Sequence, residues 1–260
     1  MPVPDLHDRV DLLGIRIHRW TLEETVSEIQ RRLESGTYTT NLQVNVAKIV
    51  ESRSDPEFRL FFTKFDIVSF DGMGAVWGAR LLGEQVVSRV AGIDLFERLL
   101  EVAADRKLTV FFLGSTVQIL DEMTRRLRAR LPDLRIVGTH HGYFWGKEEE
   151  VVGLIQRSGA QMVFVGISPP LQERFIMRYG RQTGALYLMG VGGSFDVISG
   201  FKRRAPVWVR RIGMEWAYRL IQEPQRLAGR YIRTNSRFLF LILQEHFRRW
   251  GRQGPPAAHP

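Results

Sequence analysis

With 260 residues, 44% of them hydrophobic and 25% charged, the chain has the balance of a soluble globular protein and room for one α/β domain with an appendage or for two small domains. It contains no cysteine, which excludes disulfides, thiolate catalysis and Cys-ligated zinc, and fits a reducing cytoplasm. The net charge of +9 sits at one end: between Lys202 and Arg252 thirteen Lys or Arg accompany three Glu, whereas the rest of the chain is close to neutral.

The opening MPVPDLHDRVDLLG has acidic residues and prolines where a signal peptide needs a basic segment and then an apolar run, so export by that route is not expected. VDLLGIRIHRW alternates apolar and polar residues and predicts an edge hairpin or strand. Six further runs then read as strands: TYTTNLQV, DIVSF, TVFFLG, RIVGTH, MVFVGI and ALYLMGVG. Helical patterns lie between most of them, such as Asp94 to Asp105, Thr116 to Leu131 and Leu171 to Gln182. This alternation predicts an α/β fold with a Rossmann-like core, its mostly parallel sheet covered on both faces. Several strands end in glycine or small polar residues, as in Gly114-Ser115, Gly166-Ile167-Ser168 and Gly192-Gly193-Ser194. They predict one crevice at the carboxyl ends of the strands, where backbone and helix N-termini suit phosphate.

After Phe201 the character changes. RAPVWVRRIGMEWAYRLIQEP reads as a helix started by Pro206 and ended by Pro224, and QRLAGRYIRTNSRFLFLILQEHFRRW as a second. The expected organisation is therefore a catalytic core over 1–201, a basic helical appendage over 202–252 and a disordered tail over 253–260. The appendage interleaves arginines with Trp208, Trp216, Tyr231, Phe240 and Trp250, a composition suited to anionic lipid, nucleic acid or a diphosphate. Its longest apolar run, FLFLIL, is far short of the roughly 20 residues that a spanning helix needs.

The stretch DIVSFDGMGAVWGARLLG runs from a strand into Gly72-x-Gly74-x-x-x-Gly78 and a helix, which is how a dinucleotide-binding turn begins. The acid expected on a ribose would have to be Asp94, which sits at a helix start as a cap or dipole partner. Three readings stay open: NAD(P) binding, a turn built for tight packing, and a turn that displays Asp71. The six histidines form no H-x-x-x-H pair, no Asp-x-Asp is present and no Gly-x-Ser-x-Gly elbow appears, so the sequence asks for neither a metal nor a cofactor. One carboxylate on a glycine turn, amides such as Asn45 and Gln172, and many arginines suit a reaction that needs a base and charge stabilisation at a leaving diphosphate. A nucleic-acid-binding protein using the tail, or an NAD(P)-dependent oxidoreductase, are the rivals; no RNA- or DNA-reading motif is present, so a nucleic-acid partner is not expected.

In order along the chain stand Val44-Asn45-Val46, Asp55-Pro56-Glu57-Phe58-Arg59, Asp71-Gly72-Met73-Gly74 and Ser88-Arg89-Val90-Ala91-Gly92. Ser168-Pro169-Pro170-Leu171-Gln172-Glu173, Gly190-Val191-Gly192-Gly193-Ser194, Arg204-Ala205-Pro206 and Gly213-Met214-Glu215-Trp216 follow, through Arg219 to Glu223-Pro224. Together they resemble the WecG/TagA/CpsF family of bacterial glycosyltransferases, from about residue 10 to about residue 235. The resemblance implies an inverting, metal-independent transfer of a sugar, such as N-acetylmannosamine, glucose or a uronic acid, from a UDP-sugar to a polyprenyl-diphosphate-linked sugar. The setting it implies is cell-envelope, teichoic acid or exopolysaccharide synthesis. It places the enzyme in the cytoplasm, attached peripherally to the inner face of the plasma membrane, and implies self-association through the core.

Carried over residue by residue, the resemblance makes Asp71 the general base. Asn45, Arg89 and Gln172 match polar site positions, and Arg219 and Arg226 match arginines of a C-terminal segment that closes over the site, binds the diphosphate and touches an anionic membrane. A third family arginine falls on Gly229, beside Arg230. Gln43 stands where the family often has Thr, a substrate-binding position.

Overall fold

A computed structural model describes Asp5 and residues 7–253, without the side chains of Arg226, Arg252 and Gln253. The chain forms β1 (Arg9–Leu12), β2 (Ile15–His18), α1 (Leu22–Glu34), β3 (Thr39–Val44), α2 (Val46–Glu51), α3 (Pro56–Lys64), β4 (Ile67–Phe70), α4 (Met73–Leu81) and α5 (Gly92–Asp105). It continues with β5 (Thr109–Gly114), α6 (Val117–Arg130), β6 (Arg135–His140), α7 (Glu148–Ser158), β7 (Met162–Gly166), α8 (Leu171–Tyr179) and β8 (Tyr187–Gly190). Four helices close it: α9 (Ser194–Ile198), α10 (Val207–Arg211), α11 (Glu215–Gln222) and α12 (Pro224–Gln253).

The eight strands form one sheet in the order β1-β2-β4-β3-β8-β7-β5-β6. Only β1 and β2 pair antiparallel, as the expected edge hairpin; every other pair is parallel. Successive side chains of a strand point to opposite faces, so β5 sends Phe111 and Leu113 to one layer and Val110 and Phe112 to the other. The first layer holds α2, α3, α4, α7, α8 and the middle of α12; the second holds α1, α5, α6 and α9. In the second layer Phe96, Phe112, Phe164 and Phe195 meet with ring centroids 4.7 to 6.1 Å apart. Each such fully buried ring contributes about 1.5–3 kcal/mol of hydrophobic stabilisation.

This layering positions a crevice. The helix after β3 lies on one face and the helix after the neighbouring β8 on the other, so the connections diverge at the carboxyl ends of the strands. The Rossmann-like α/β core with a mostly parallel sheet is thus present.

One expectation is corrected. The single helix expected between Pro206 and Pro224 is broken into α10 and α11. Gly213 adopts φ +77 at the junction, a left-handed conformation that no helix continues through, and a Cβ there would lie 2.6 Å from Met73 Cγ. Pro224 does not follow the last helix but begins it, at a position where its missing N–H costs nothing. Residues 254–260 of the expected tail lie outside the described residues.

Candidate active site

Asp71 is the first residue after β4, and its backbone N–H donates to the Val44 carbonyl at 2.7 Å. Its side chain is held in turn by the first turn of α5, where Gly92 N–H donates to Asp71 Oδ1 at 3.2 Å. On the adjacent parallel strand, Asn45 follows β3 directly and caps α2, its Oδ1 accepting from Lys48 N–H at 3.1 Å. The glycines of the stretch have separate tasks. Gly72 takes φ +111 at the turn, while a Cβ on Gly74 would meet Val46 Cγ2 at 2.8 Å and one on Gly78 would meet Phe238 Cζ at 2.6 Å. They let α4 start against α2 and lie against α12. Asp94, weighed as a ribose acid, a cap or a dipole partner, stands in the first turn of α5, where the helix dipole favours an acid; Ala91 is the cap position, and Asp94 pairs with Arg204 at 2.5 Å and Arg210 at 3.7 Å.

A cavity of about 420 Å³ opens over this turn. Asn45, Asp71, Arg89, Glu215, Arg219 and Arg230 line its polar end, and Trp77, Leu81, Phe238 and Leu239 its apolar wall. Two other surface depressions, of about 570 and 540 Å³, flank α6 and contain none of the expected site residues. Arg89 is nearly buried and bonds through Nη2 to Glu215 Oε2 at 3.0 Å; Arg219 reaches Glu215 Oε1 at 3.3 Å. Burial alone raises the pKa of Glu215, but Arg219 and Arg89 outweigh it and hold the carboxyl below its usual range. Glu215 is therefore an ionised counter-charge that keeps two guanidinium groups facing the cavity. Arg230 lies over the Tyr231 ring, 5.7 Å from its centroid.

Gln43 and Gln172 lie in a different place. Neither lines the cavity; both are buried beneath it in one polar chain. Gln43 donates through Nε2 to Asn41 Oδ1 at 2.7 Å, and its carbonyl accepts from Lys48 Nζ at 2.7 Å. Lys48 pairs with Glu173 at 2.8 Å, Gln172 Nε2 donates to the same carboxylate at 2.8 Å, and Gly192 N–H donates to Gln172 Oε1 at 3.0 Å. The chain ties the end of β3 and α2 to α8 and the loop after β8. Gln43 Oε1 and Glu173 Oε2 are buried without a hydrogen-bond partner. Arg226 belongs to α12, but its side chain lies outside the described residues. Among the described residues no group of three or more His, Asp or Glu is placed to hold a metal ion.

Residues 10–252 match the glycosyl transferase WecG/TagA/CpsF family. The chain belongs to the WecG/TagA/CpsF family of glycosyltransferases. Among its relatives, a protein of Bacillus spizizenii is 37% identical over 176 residues, covering 68% of each chain. One of Bacillus subtilis strain 168 is 33% identical over 198 residues, 76% of this chain and 75% of its own. One of Staphylococcus aureus strain MW2 is 31% identical over 222 residues, 84% of this chain and 87% of its own. All three are named N-acetylglucosaminyldiphosphoundecaprenol N-acetyl-beta-D-mannosaminyltransferase.

Sequence reasoning did not single out Glu215 or the apolar wall of this WecG/TagA/CpsF chain. Glu215 stood within the Gly213-Met214-Glu215-Trp216 stretch of the resemblance and was an acid inside a strongly basic segment, but neither signal gave it a role. The wall offered another, since Trp77 and Leu81 sit four apart on α4 and stay half-exposed.

Proposed function

We propose that the protein transfers a sugar from a UDP-sugar to a polyprenyl-diphosphate-linked sugar, with inversion at the anomeric carbon and without a metal. What supports this reading is the meeting of Asp71 with Arg89, Arg219 and Arg230 on one cavity at the carboxyl ends of β3 and β4. The Asp71 carboxylate takes the proton of the acceptor hydroxyl as that oxygen forms its bond to the anomeric carbon. The bond from that carbon to the UDP oxygen breaks on the opposite side, and UDP leaves with the electron pair. Arginines suit the leaving diphosphate because they stay charged and bind its oxygens in pairs. On an α-linked donor such a displacement yields a β linkage, the one in the relatives' names. Those names also supply the acceptor class, a sugar on diphosphoundecaprenol.

Gln43, Gln172 and Lys48 hold the cavity floor in this scheme, and Arg226 joins Arg219 and Arg230 at the diphosphate. The C-terminal helices meet the membrane. Trp208, Ile221, Phe240, Phe247 and Trp250 are mostly exposed among arginines, a pattern that binds an anionic surface peripherally. No helix among the described residues is long and apolar enough to cross a bilayer. The deciding experiment is a panel of UDP-sugars against polyprenyl-diphosphate-linked N-acetylglucosamine, scored for product with the anomeric configuration read by NMR. A β-linked product and released UDP are expected. Retention of configuration, or a thermal shift with NADH and none with UDP, would remove the reading.

A further inference from the structure

We infer that the seam between α4 and α12 is the binding groove for the isoprenoid chain of the acceptor, an assignment that rests on the lipid-linked acceptor proposed above. The two helices leave the cavity side by side and in the same direction. Near the cavity Phe238 and Ile242 lie against Gly78, where an added Cβ would be 2.6 Å from Phe238 Cζ and 3.1 Å from Ile242 Cδ1. Farther along, the ring of His246 bonds the Leu81 carbonyl at 3.1 Å, and Arg249 donates to the Leu82 carbonyl at 3.0 Å. The seam is thus closed underneath from Gly78 to Leu82, along the second half of α4.

Its outer lip is apolar and uncovered by any described part of the chain. Trp77 and Leu81 stand four apart on α4, and Leu239, Leu243 and Phe247 stand four apart on α12, so each set shares one helix face. All five are between two-fifths and two-thirds exposed. Trp77, Leu81 and Leu239 also line the cavity that holds Asp71 and the arginines, so the apolar lip and the charged end are one continuous space.

That polarity selects the occupant. A nucleotide sugar could offer this wall only the face of its base, which one aromatic ring such as Trp77 would cover, and it would leave the row Leu239, Leu243 and Phe247 exposed. An amphiphile with a diphosphate head and a hydrocarbon tail matches both ends at once: its head lies at the charged end of the cavity, beside the arginines that hold the leaving diphosphate, and its first isoprene units cover Trp77, Leu81 and Leu239. The tail then passes Leu243 and Phe247 toward the exposed aromatic surface of α12. Covering half-exposed leucines with hydrocarbon is favourable in proportion to the area removed from water, so the chain adds affinity that the diphosphate alone lacks.

The test is calorimetric binding of farnesyl diphosphate and of inorganic diphosphate to the full chain, below the lipid's critical micelle concentration. The wild type is expected to prefer farnesyl diphosphate by about tenfold or more, the scale set by burying one to two leucine-sized surfaces. In Leu81→Gln/Leu239→Gln the preference should shrink to less than about threefold while the affinity for inorganic diphosphate stays as in the wild type, which a folding defect would not leave intact, and Leu81→Met/Leu239→Met should keep the preference. Equal affinities in the wild type, or a full preference retained in the glutamine variant, overturn the groove. The transfer reading fails separately: product formed by a protein without the preference sinks the groove alone, whereas a farnesyl preference in a protein that transfers no sugar sinks the transfer alone.

Discussion

Replacing Asp71 with asparagine is the most direct probe of the chemistry, because the side chain's structural contact can be kept while the proton transfer proposed for it is removed. Structurally, Oδ1 accepts one hydrogen bond, from Gly92 N–H at 3.2 Å, and the side chain is half-buried at the cavity. The amide oxygen of asparagine can accept the same bond in the same volume, so the variant should fold with a stability change within about 0.5 kcal/mol. Chemically the amide cannot take a proton from the acceptor hydroxyl. A positioned general base contributes about 10²- to 10⁴-fold, which raises the barrier by roughly 3–5 kcal/mol when it is lost. The assay is kcat for sugar transfer at saturating donor and acceptor, with UDP affinity measured by calorimetry on the same preparation. Turnover should fall by at least about a hundredfold while UDP affinity stays within about threefold. A variant that turns over within tenfold of the wild type dismisses Asp71 as the base. Parallel loss of UDP binding would instead make it a donor-binding residue.

Glu215→Gln keeps a hydrogen-bond acceptor for Arg89 but deprives two arginines of their counter-charge, one of them nearly buried. Stability at pH 7 should fall by about 1–3 kcal/mol in urea titrations. Because the folded pKa of Glu215 lies below its ordinary value of 4.5, this contribution is complete above pH 4.5 and fades as pH drops through the folded pKa. The gap between wild type and variant should therefore narrow at pH 3, and a gap independent of pH would refute the assignment. His18 gives the opposite kind of acid sensitivity. Burial and then the neighbouring Arg9 lower its pKa to about 4. Arg9 Nε is a donor 2.9 Å from His18 Nε2, and Nδ1 lies 3.1 Å from the Val68 N–H and 3.0 Å from the Val68 carbonyl, so the ring faces donors on both sides that a doubly protonated imidazole could not accept. The unfolded chain takes up the proton first, near pH 6.5, so stability present above that pH is lost as pH falls toward 4. Between pH 7 and pH 5 the loss is about 2 kcal/mol, from 1.36 kcal/mol per pH unit over the roughly 1.5 units between 6.5 and 5. His18→Gln should show little of it; equal pH slopes would rule out the mechanism. Gly213→Ala should lower the melting temperature, with a cost of about 1–3 kcal/mol, because both φ +77 and the approach of Met73 oppose a side chain there. An unchanged melting temperature would contradict this.

The parts of the fold that were legible in the sequence are those with local causes. TVFFLG and MVFVGI are short apolar runs ended by glycine, and both are buried central strands. Asp71 could be singled out because strand, turn and helix succeed one another within a dozen residues. What was not legible depends on partners distant in sequence. Gln43 and Gln172 are polar residues at strand and helix ends, which suits a lining position as well as a buried one; only Lys48 and Glu173, brought together from 125 positions apart, hold them under the cavity. Glu215 acquires its meaning from Arg89, 126 residues earlier. The break at Gly213 was hidden because glycine inside a helical pattern is often tolerated, and the deciding contact is with Met73 of another element.

The same distinction resolves the basic charge of the C-terminal segment, which composition presents as one quantity. The structure divides it in two. Lys202 pairs with Asp196 at 2.9 Å, Arg204 with Asp94 and Glu97, and Arg249 with Glu84 at 3.0 Å. These cations are spent on fastening the helices to an almost neutral core, and they are unavailable to a ligand. Arg203, Arg211, Arg230, Arg233 and Arg237 make no ion pair among the described residues, and of these Arg230 lines the cavity. Together with Arg89 and Arg219, Arg230 leaves three guanidinium groups on the cavity that Asp71 lines. In the transfer proposed above, these three cations are, among the described side chains, the ones placed to hold the leaving diphosphate, and the rest of the segment's described charge either fastens helices to the core or lies outside the lining of the cavity.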